Sequence, residues 1–194
     1  MHVISHIVRV FQHNPHEVNF DFSLRTFMPN GIHSSGYAIC DDHIDALINA
    51  ALAHGNVRRL NLSGNQLSTL PESFGQLTTL THLYLNRNKL SSLPISLGNL
   101  TALTELRAAH NRLTELPTSF CNLVRLSVLY LPDNNIRFLP ELMGNLTLLR
   151  FVNLNGNQLQ TVPVSMDTLP RLKHFVWNGN RFNNAKRIAD ARKF

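Results

Sequence analysis

The chain has 194 residues, 43% of them hydrophobic and 15% charged, which excludes a disordered polyelectrolyte and suffices to bury a substantial core. Its formal net charge of +6 comes from scarce acids rather than frequent bases, so the surface reads as solvated and argues against nucleic acid or membrane as the partner. Two cysteines, Cys40 and Cys121, lie in unlike contexts and exclude a disulfide framework.

Taken in chain order, the first eleven residues, MHVISHIVRVF, are too polar for a secretory signal, since His2, His6 and Arg9 interrupt them. No apolar run approaches the roughly 18 residues that span a bilayer. Through residues 1–40 the pattern alternates. Ile4, His6, Val8 and Val10 fall on one face of a first strand, and Val18, Phe20, Phe22 and Leu24 on one face of a second. Residues 12–17, with Asn14-Pro15 among them, supply the turn, and a β-hairpin is predicted. Residues 28–36, with Pro29-Asn30-Gly31 and Ser34-Ser35-Gly36, form a loop. From Asp41 the period becomes 3.6: Ile44, Leu47, Ile48, Ala51 and Leu52 make one stripe, Asp42 is the expected N-cap and Gly55 the stop. Residues 1–56 are thus expected to be a hairpin and a capping helix.

From Val57 one pattern returns every 23 residues. Its units open at Val57, Leu80, Leu103, Leu126, Leu149 and Leu172, and their common form is LxxLxLxxNxLxxLPxxhxxLxx, with h apolar. The LxL alternation is that of a short strand with one buried face. Asn65, Asn88, Asn111, Asn134, Asn157 and Asn180 fill one column, where a strand ends and the chain must turn. A buried asparagine there can bond backbone groups of its own and the adjacent unit. Leu-Pro recurs at Leu70-Pro71, Leu93-Pro94, Leu116-Pro117 and Leu139-Pro140, with Val162-Pro163 as a fifth, and forbids a continued strand or a long helix. One unit cannot bury its own leucines, so the units over 57–182 must stack, with their strands in a parallel sheet on the narrow side of a curved solenoid. Ala108 stands in the third unit where other units have leucine, which predicts a thin spot in the core. Trp177 and Phe182 replace leucines in the last unit, and residues 183–194 read as a short basic amphipathic cap.

On these residues the chain resembles leucine-rich-repeat proteins of the typical 23-residue class. The LPxxhGNLT leg is similar to units of intracellular Ras-suppressor-like proteins, plant intracellular Ras-group repeats and bacterial effectors. The resemblance implies an α/β horseshoe solenoid with a parallel concave sheet, and a habit of binding proteins or peptides. Extracellular members of the family usually carry cysteine-rich caps, and none stands here. An intracellular protein is therefore expected, or one delivered into a host cell if it is an effector. On that reading Asn61-Leu62-Ser63, Asn99-Leu100-Thr101 and Asn145-Leu146-Thr147 match a glycosylation sequon only through the repeat.

No catalytic constellation stands out. His2 and His6, and the His13-Asn14-Pro15-His16 cluster, have no cysteine or carboxylate cluster with them, and neither metal nor cofactor is expected. Arg87, His110 and Asp133 share a column in consecutive units, about 4.8 Å apart, so His110 and Asp133 can bond. The flanking Asn86, Ala109 and Pro132 supply no nucleophile, which makes an ion-pair ladder the better reading than a triad. The informative residues are those that point outward from the strands. His82, Tyr84, Arg107, Tyr130, Phe151, His174 and Val176 bring large rings and a guanidinium together, a composition typical of interface anchors. The expected function is a monomeric, non-catalytic protein- or peptide-binding module, with a scaffold or bacterial effector as its setting. The alternatives are the recognition part of a larger enzyme, such as a ubiquitin-ligase effector, and weak nucleic-acid or membrane binding through the basic tail. A terminal helix that closes the stack favours the first.

Overall fold

The computed structural model describes residues 2–13, 16, 18–23 and 38–182. Each repeat contributes a three-residue strand: β2 (Arg59–Asn61), β3 (His82–Tyr84), β4 (Glu105–Arg107), β5 (Val128–Tyr130), β6 (Phe151–Asn153) and β7 (His174–Val176). Ahead of them lie α1 (His2–His13), β1 (Asn19–Asp21) and α2 (Asp41–His54). The strands β1 to β7 form one parallel sheet in chain order, in a register that sets Arg59, His82, Glu105, Val128, Phe151 and His174 abreast. After each proline a five-residue 3-10 turn carries the chain back, as at Ile95–Asn99 after Pro94. Between the sheet and these turns the leucine columns are fully buried, and Ala108 and Ala109 are buried with them. Trp177 and Phe182 meet edge to face at 5.2 Å at the far end. The predicted cap over 183–194 lies outside the described residues.

The asparagine column works as its position requires. Asn111 accepts the Leu90 N–H at 3.0 Å, donates to the Leu85 carbonyl of the preceding unit at 2.9 Å and donates to Ala108 of its own unit at 3.1 Å. One side chain thereby ties two units and satisfies groups that no strand ladder reaches. Asn65, Asn88, Asn134, Asn157 and Asn180 repeat the pattern, and only the last of them is more than marginally exposed.

The N-terminal hairpin is not formed, and the prediction over 1–40 is corrected here. Residues 2–13 are helical because Val3, Val10 and Phe11 also fit a helical stripe: Val3 and Phe11 are buried, while Ile4 of the alternating set is 38% exposed. His2 and His6 therefore stand one turn apart on a helix rather than on a strand. The second half of the alternation holds, since Phe20 and Phe22 are buried on a strand, but β1 pairs in parallel with β2, Phe20 beside Leu60. Phe11 packs on Phe20 with ring centroids 4.2 Å apart.

β1 and α2 behave as an expanded unit placed before the first repeat. Ile39 donates its N–H to Asn65 Oδ1 at 2.9 Å, as Leu67 does to Asn88, and Asn65 donates to the Phe22 carbonyl. Helix α2 buries Ile44, Leu47, Ile48 and Ala51 and stops at Gly55, whose φ is +80°, as expected. Leu52 departs from the expected stripe at 36% exposure. The N-cap is Cys40 rather than Asp42, and its N–H donates to His43 Nδ1 at 3.2 Å. Asp41, which starts the helix, turns its carboxylate to Ser68 and Thr69 of the first repeat. Burial raises the pKa of that carboxyl, but the Ser68 and Thr69 bonds outweigh it and hold the group below its usual range.

The 3-10 turns stack so closely that a Cβ on Gly98 would lie within 3.0 Å of the Ser119 carbonyl, and Gly75 and Gly144 meet Ser96 and Ser165 in the same way. The third unit departs from this. Cys121 fills the glycine column, Leu142 replaces the serine opposite it, and the turn of the fourth unit kinks at Leu142, with φ −89° and ψ +20°. Burial pushes the Cys121 thiol above its usual pKa.

Candidate functional site

The strands present to the concave side every second residue, and the parallel register brings the outward residues of successive units into line. The Arg107 guanidinium lies between two rings, 5.8 Å from the centroid of Tyr84 and 5.7 Å from that of Tyr130. Tyr130 stacks on Phe151 at 6.4 Å with 17° between planes, and Phe151 meets His174 at 6.2 Å. On the other flank His82 meets Tyr84 edge-on at 6.4 Å. Six of the residues singled out from the sequence therefore form an unbroken run from β3 to β7. Val176, the seventh, is half-buried on β7 two residues beyond His174.

The run is organised by a residue that sequence reading passed over. Glu105, one of the more buried carboxylates of the face, bonds Arg107 Nε and lies 3.9 Å from His82 Nε2. It holds the guanidinium between the two tyrosine rings. Its signal was present, because Glu105 shares a column with His82 and stands two residues before Arg107 on one strand face. Burial holds the His82 imidazole below its usual pKa, the Arg59 charge acts in the same direction, and Glu105 opposes both. Burial, then the Glu105 charge, raises the Tyr84 hydroxyl.

Beside the strip runs the column of Arg87, His110 and Asp133, all three in the left-handed region with φ of 54° to 56°. The same column in other units holds Gly64, Gly156 and Gly179. His110 Nδ1 and Asp133 Oδ2 are 3.3 Å apart and both side chains are about half exposed, so the two meet as their shared column predicts, while Arg87 has no carboxylate partner among the described residues. Asn86 accepts the Ala109 N–H at 2.9 Å, Ala109 and Pro132 beside His110 and Asp133 carry no hydroxyl or thiol, and the serine of that column, Ser63, stands two units from His110 and accepts from Asn86 Nδ2 at 3.4 Å. Among the described residues no three His, Cys, Asp or Glu side chains converge on a point where a metal would sit, and no helix is long and apolar enough to cross a membrane.

The family follows from comparison as well as from geometry. The leucine rich repeat family matches over residues 39–90, 55–113 and 102–159, more than half of the sequence, and the chain belongs to that family. No curated protein matches it. Among solved structures it is similar to a TDR receptor, with 28% identity, a TM-score of 0.62 and coverage of 66% of this chain and 23% of the receptor chain. It is also similar to a leucine-rich-repeat protein of Leptospira interrogans, with 22% identity, a TM-score of 0.52 and coverage of 96% of this chain and 61% of that one. At 22% identity the second likeness shows the fold alone. Leucine-rich repeats serve generally as protein-interaction modules, and this chain spans only part of the length of both neighbours.

Proposed function

We propose that the chain is a non-catalytic binding module that holds a protein edge or an extended peptide on its concave strip, as a monomer, without metal or cofactor. The observation that carries this reading is the run of His82, Tyr84, Arg107, Tyr130, Phe151 and His174 across five strands. Rings and a guanidinium are enriched among interface anchors, and a contiguous apolar strip on a soluble protein ordinarily has a use. Five strands at about 4.8 Å spacing make a strip about 19 Å long, too open to enclose a metabolite. A place inside a cell, as a scaffold or as an effector delivered to a host, is supported by the likeness of the return leg to intracellular repeats.

The test is the triple variant Tyr84→Ala, Arg107→Ala, Tyr130→Ala. All three side chains point outward, so the expected result is a melting curve close to that of the parent together with loss of whatever partner a pull-down identifies. Retained capture by the triple variant, with loss on reversing Lys186, Arg187, Arg192 and Lys193, would move the site to the basic tail. Both solved neighbours are longer than this chain, which favours a second reading: the same strip as the recognition part of a larger protein, such as a ubiquitin-ligase effector.

A further inference from the structure

Charge on the concave face is not spread evenly. Of its acids, Glu105 is held by Arg107 and His82 within the strip and Asp133 lies against His110, while Asp21 stands outside the strip on β1 and accepts the Ser23 N–H. Its other cations are Arg87, beside the strip after β3, and two groups towards the ends of the sheet: Arg58 and Arg59 at β2, and Arg150 and Lys173 at the residues that lead into β6 and β7. All five are exposed, and among the described residues no carboxylate pairs with them. Between the ends lie Val128, Tyr130 and Phe151, half-buried and without charge.

We infer that the strip takes an extended peptide with an apolar, ring-bearing centre and carboxylates on both flanks. This rests on the reading of the strip as a protein-binding site. From β2 to β6 or β7 is four or five strand spacings, about 19–24 Å. An extended chain covers about 3.3 Å per residue, so the two acidic flanks stand about six or seven residues apart. A basic peptide would bring like charge to Arg59, Arg150 and Lys173 and find Glu105 already engaged. Because the end cations are exposed, they set specificity and association rate, while the central rings supply most of the affinity.

The experiment uses the full chain and fluorescence polarisation with three labelled peptides that share a Val-Tyr-Phe-Leu centre. Their flanks are Asp-Glu, Ser-Ser or Lys-Lys. The acid-flanked peptide is expected to bind at least about tenfold more tightly than the serine-flanked one at low salt, with the gap narrowing as salt rises. Arg59→Glu together with Lys173→Glu removes that preference and turns it towards the lysine-flanked peptide. Tyr130→Ala weakens the acid- and serine-flanked peptides alike, and thermal melting checks that the variants are folded. Equal binding of acid and serine flanks, still weakened by Tyr130→Ala, overturns the charge inference and leaves the strip as the site. Binding indifferent to Tyr130→Ala overturns the underlying reading as well. Binding of no peptide below about 1 mM overturns the inference, as does a single-stranded oligonucleotide that displaces every peptide.

Discussion

Asn111 and Arg107 stand four residues apart in one unit, and their surroundings are opposites. Both side-chain polar atoms of Asn111 are committed to backbone groups of two units, and the residue is 8% exposed. The Arg107 side chain is held by the side chains of Glu105, Tyr84 and Tyr130, and nearly half of it remains open to solvent. The inner column admits one residue type because the geometry leaves it one set of partners. The outer column holds Asn61, Tyr84, Arg107, Tyr130, Asn153 and Val176 because nothing in the stack fixes it. In a solenoid the two kinds of column alternate within a few residues, so stability and recognition can be altered separately.

The largest expected effect is on the inner side. Gly98→Ala forces a Cβ against the Ser119 backbone, which cannot swing away as a side chain tip could, and should cost about 3 kcal/mol. A chemical-denaturation midpoint equal to that of the parent would show that the convex turns give way easily, and the contrast between columns would lose half its basis. Asn111→Ala leaves the Leu90 N–H and the Leu85 and Ala108 carbonyls without this partner, and about 2 kcal/mol should be lost. The exposed Asn49→Ala on α2 serves as its control, and equal melting temperatures for the two variants would refute the claim.

On the outer side the effects are smaller and one has the opposite sign. Arg87 sits at φ 55°, where a side chain costs about 1–2 kcal/mol, while glycine adds about 0.5–1 kcal/mol of unfolded-chain entropy. Arg87→Gly should therefore stabilise by about 0.5–1 kcal/mol, and a drop in melting temperature would show that the arginine makes a stabilising contact that offsets its strain. The smallest effect concerns His82. Its folded pKa lies below 6.5, so the unfolded chain takes up a proton first, and stability is lost as pH falls from 6.5 through the folded value. Above 6.5 this group should contribute no pH dependence. His82→Gln should flatten the fall in melting temperature between about pH 7 and 5, and an unchanged slope would assign that fall to other groups.

The repeat region was legible because each column is written five or six times, so that Asn or Leu-Pro at a given offset could be matched to one physical cause. The seven strip residues came from the same register, which parallel pairing then reproduced. The N-terminal segment is written once. Over residues 2–13 a two-residue period picks out Ile4, Val8 and Val10 and a 3.6-residue period Val3, Val10 and Phe11, and packing of Phe11 on Phe20 selects the helix. That β1 joins the repeat sheet was hidden by spacing, because Phe20 lies beside Leu60, 40 positions away, with the whole of α2 between them. Glu105 escaped notice because a single carboxylate in a ring-rich strip looks like a solvated charge until the guanidinium beside it is located.

The exception at Cys121 and Leu142 bears on how such a protein can be rebuilt. Equal unit length invites the exchange, deletion or duplication of whole units, since a cut of 23 residues preserves every column. The third and fourth units are nevertheless a matched pair: a thiol fills the place of a hydrogen atom on one side, and the turn opposite has bent to admit it. A copy of the second unit in third place would set a glycine against Leu142 and leave a void. A copy of the third unit in second place would drive its thiol into the Ser119 backbone. The repeats are thus interchangeable at most junctions, and at this one they can be moved only together.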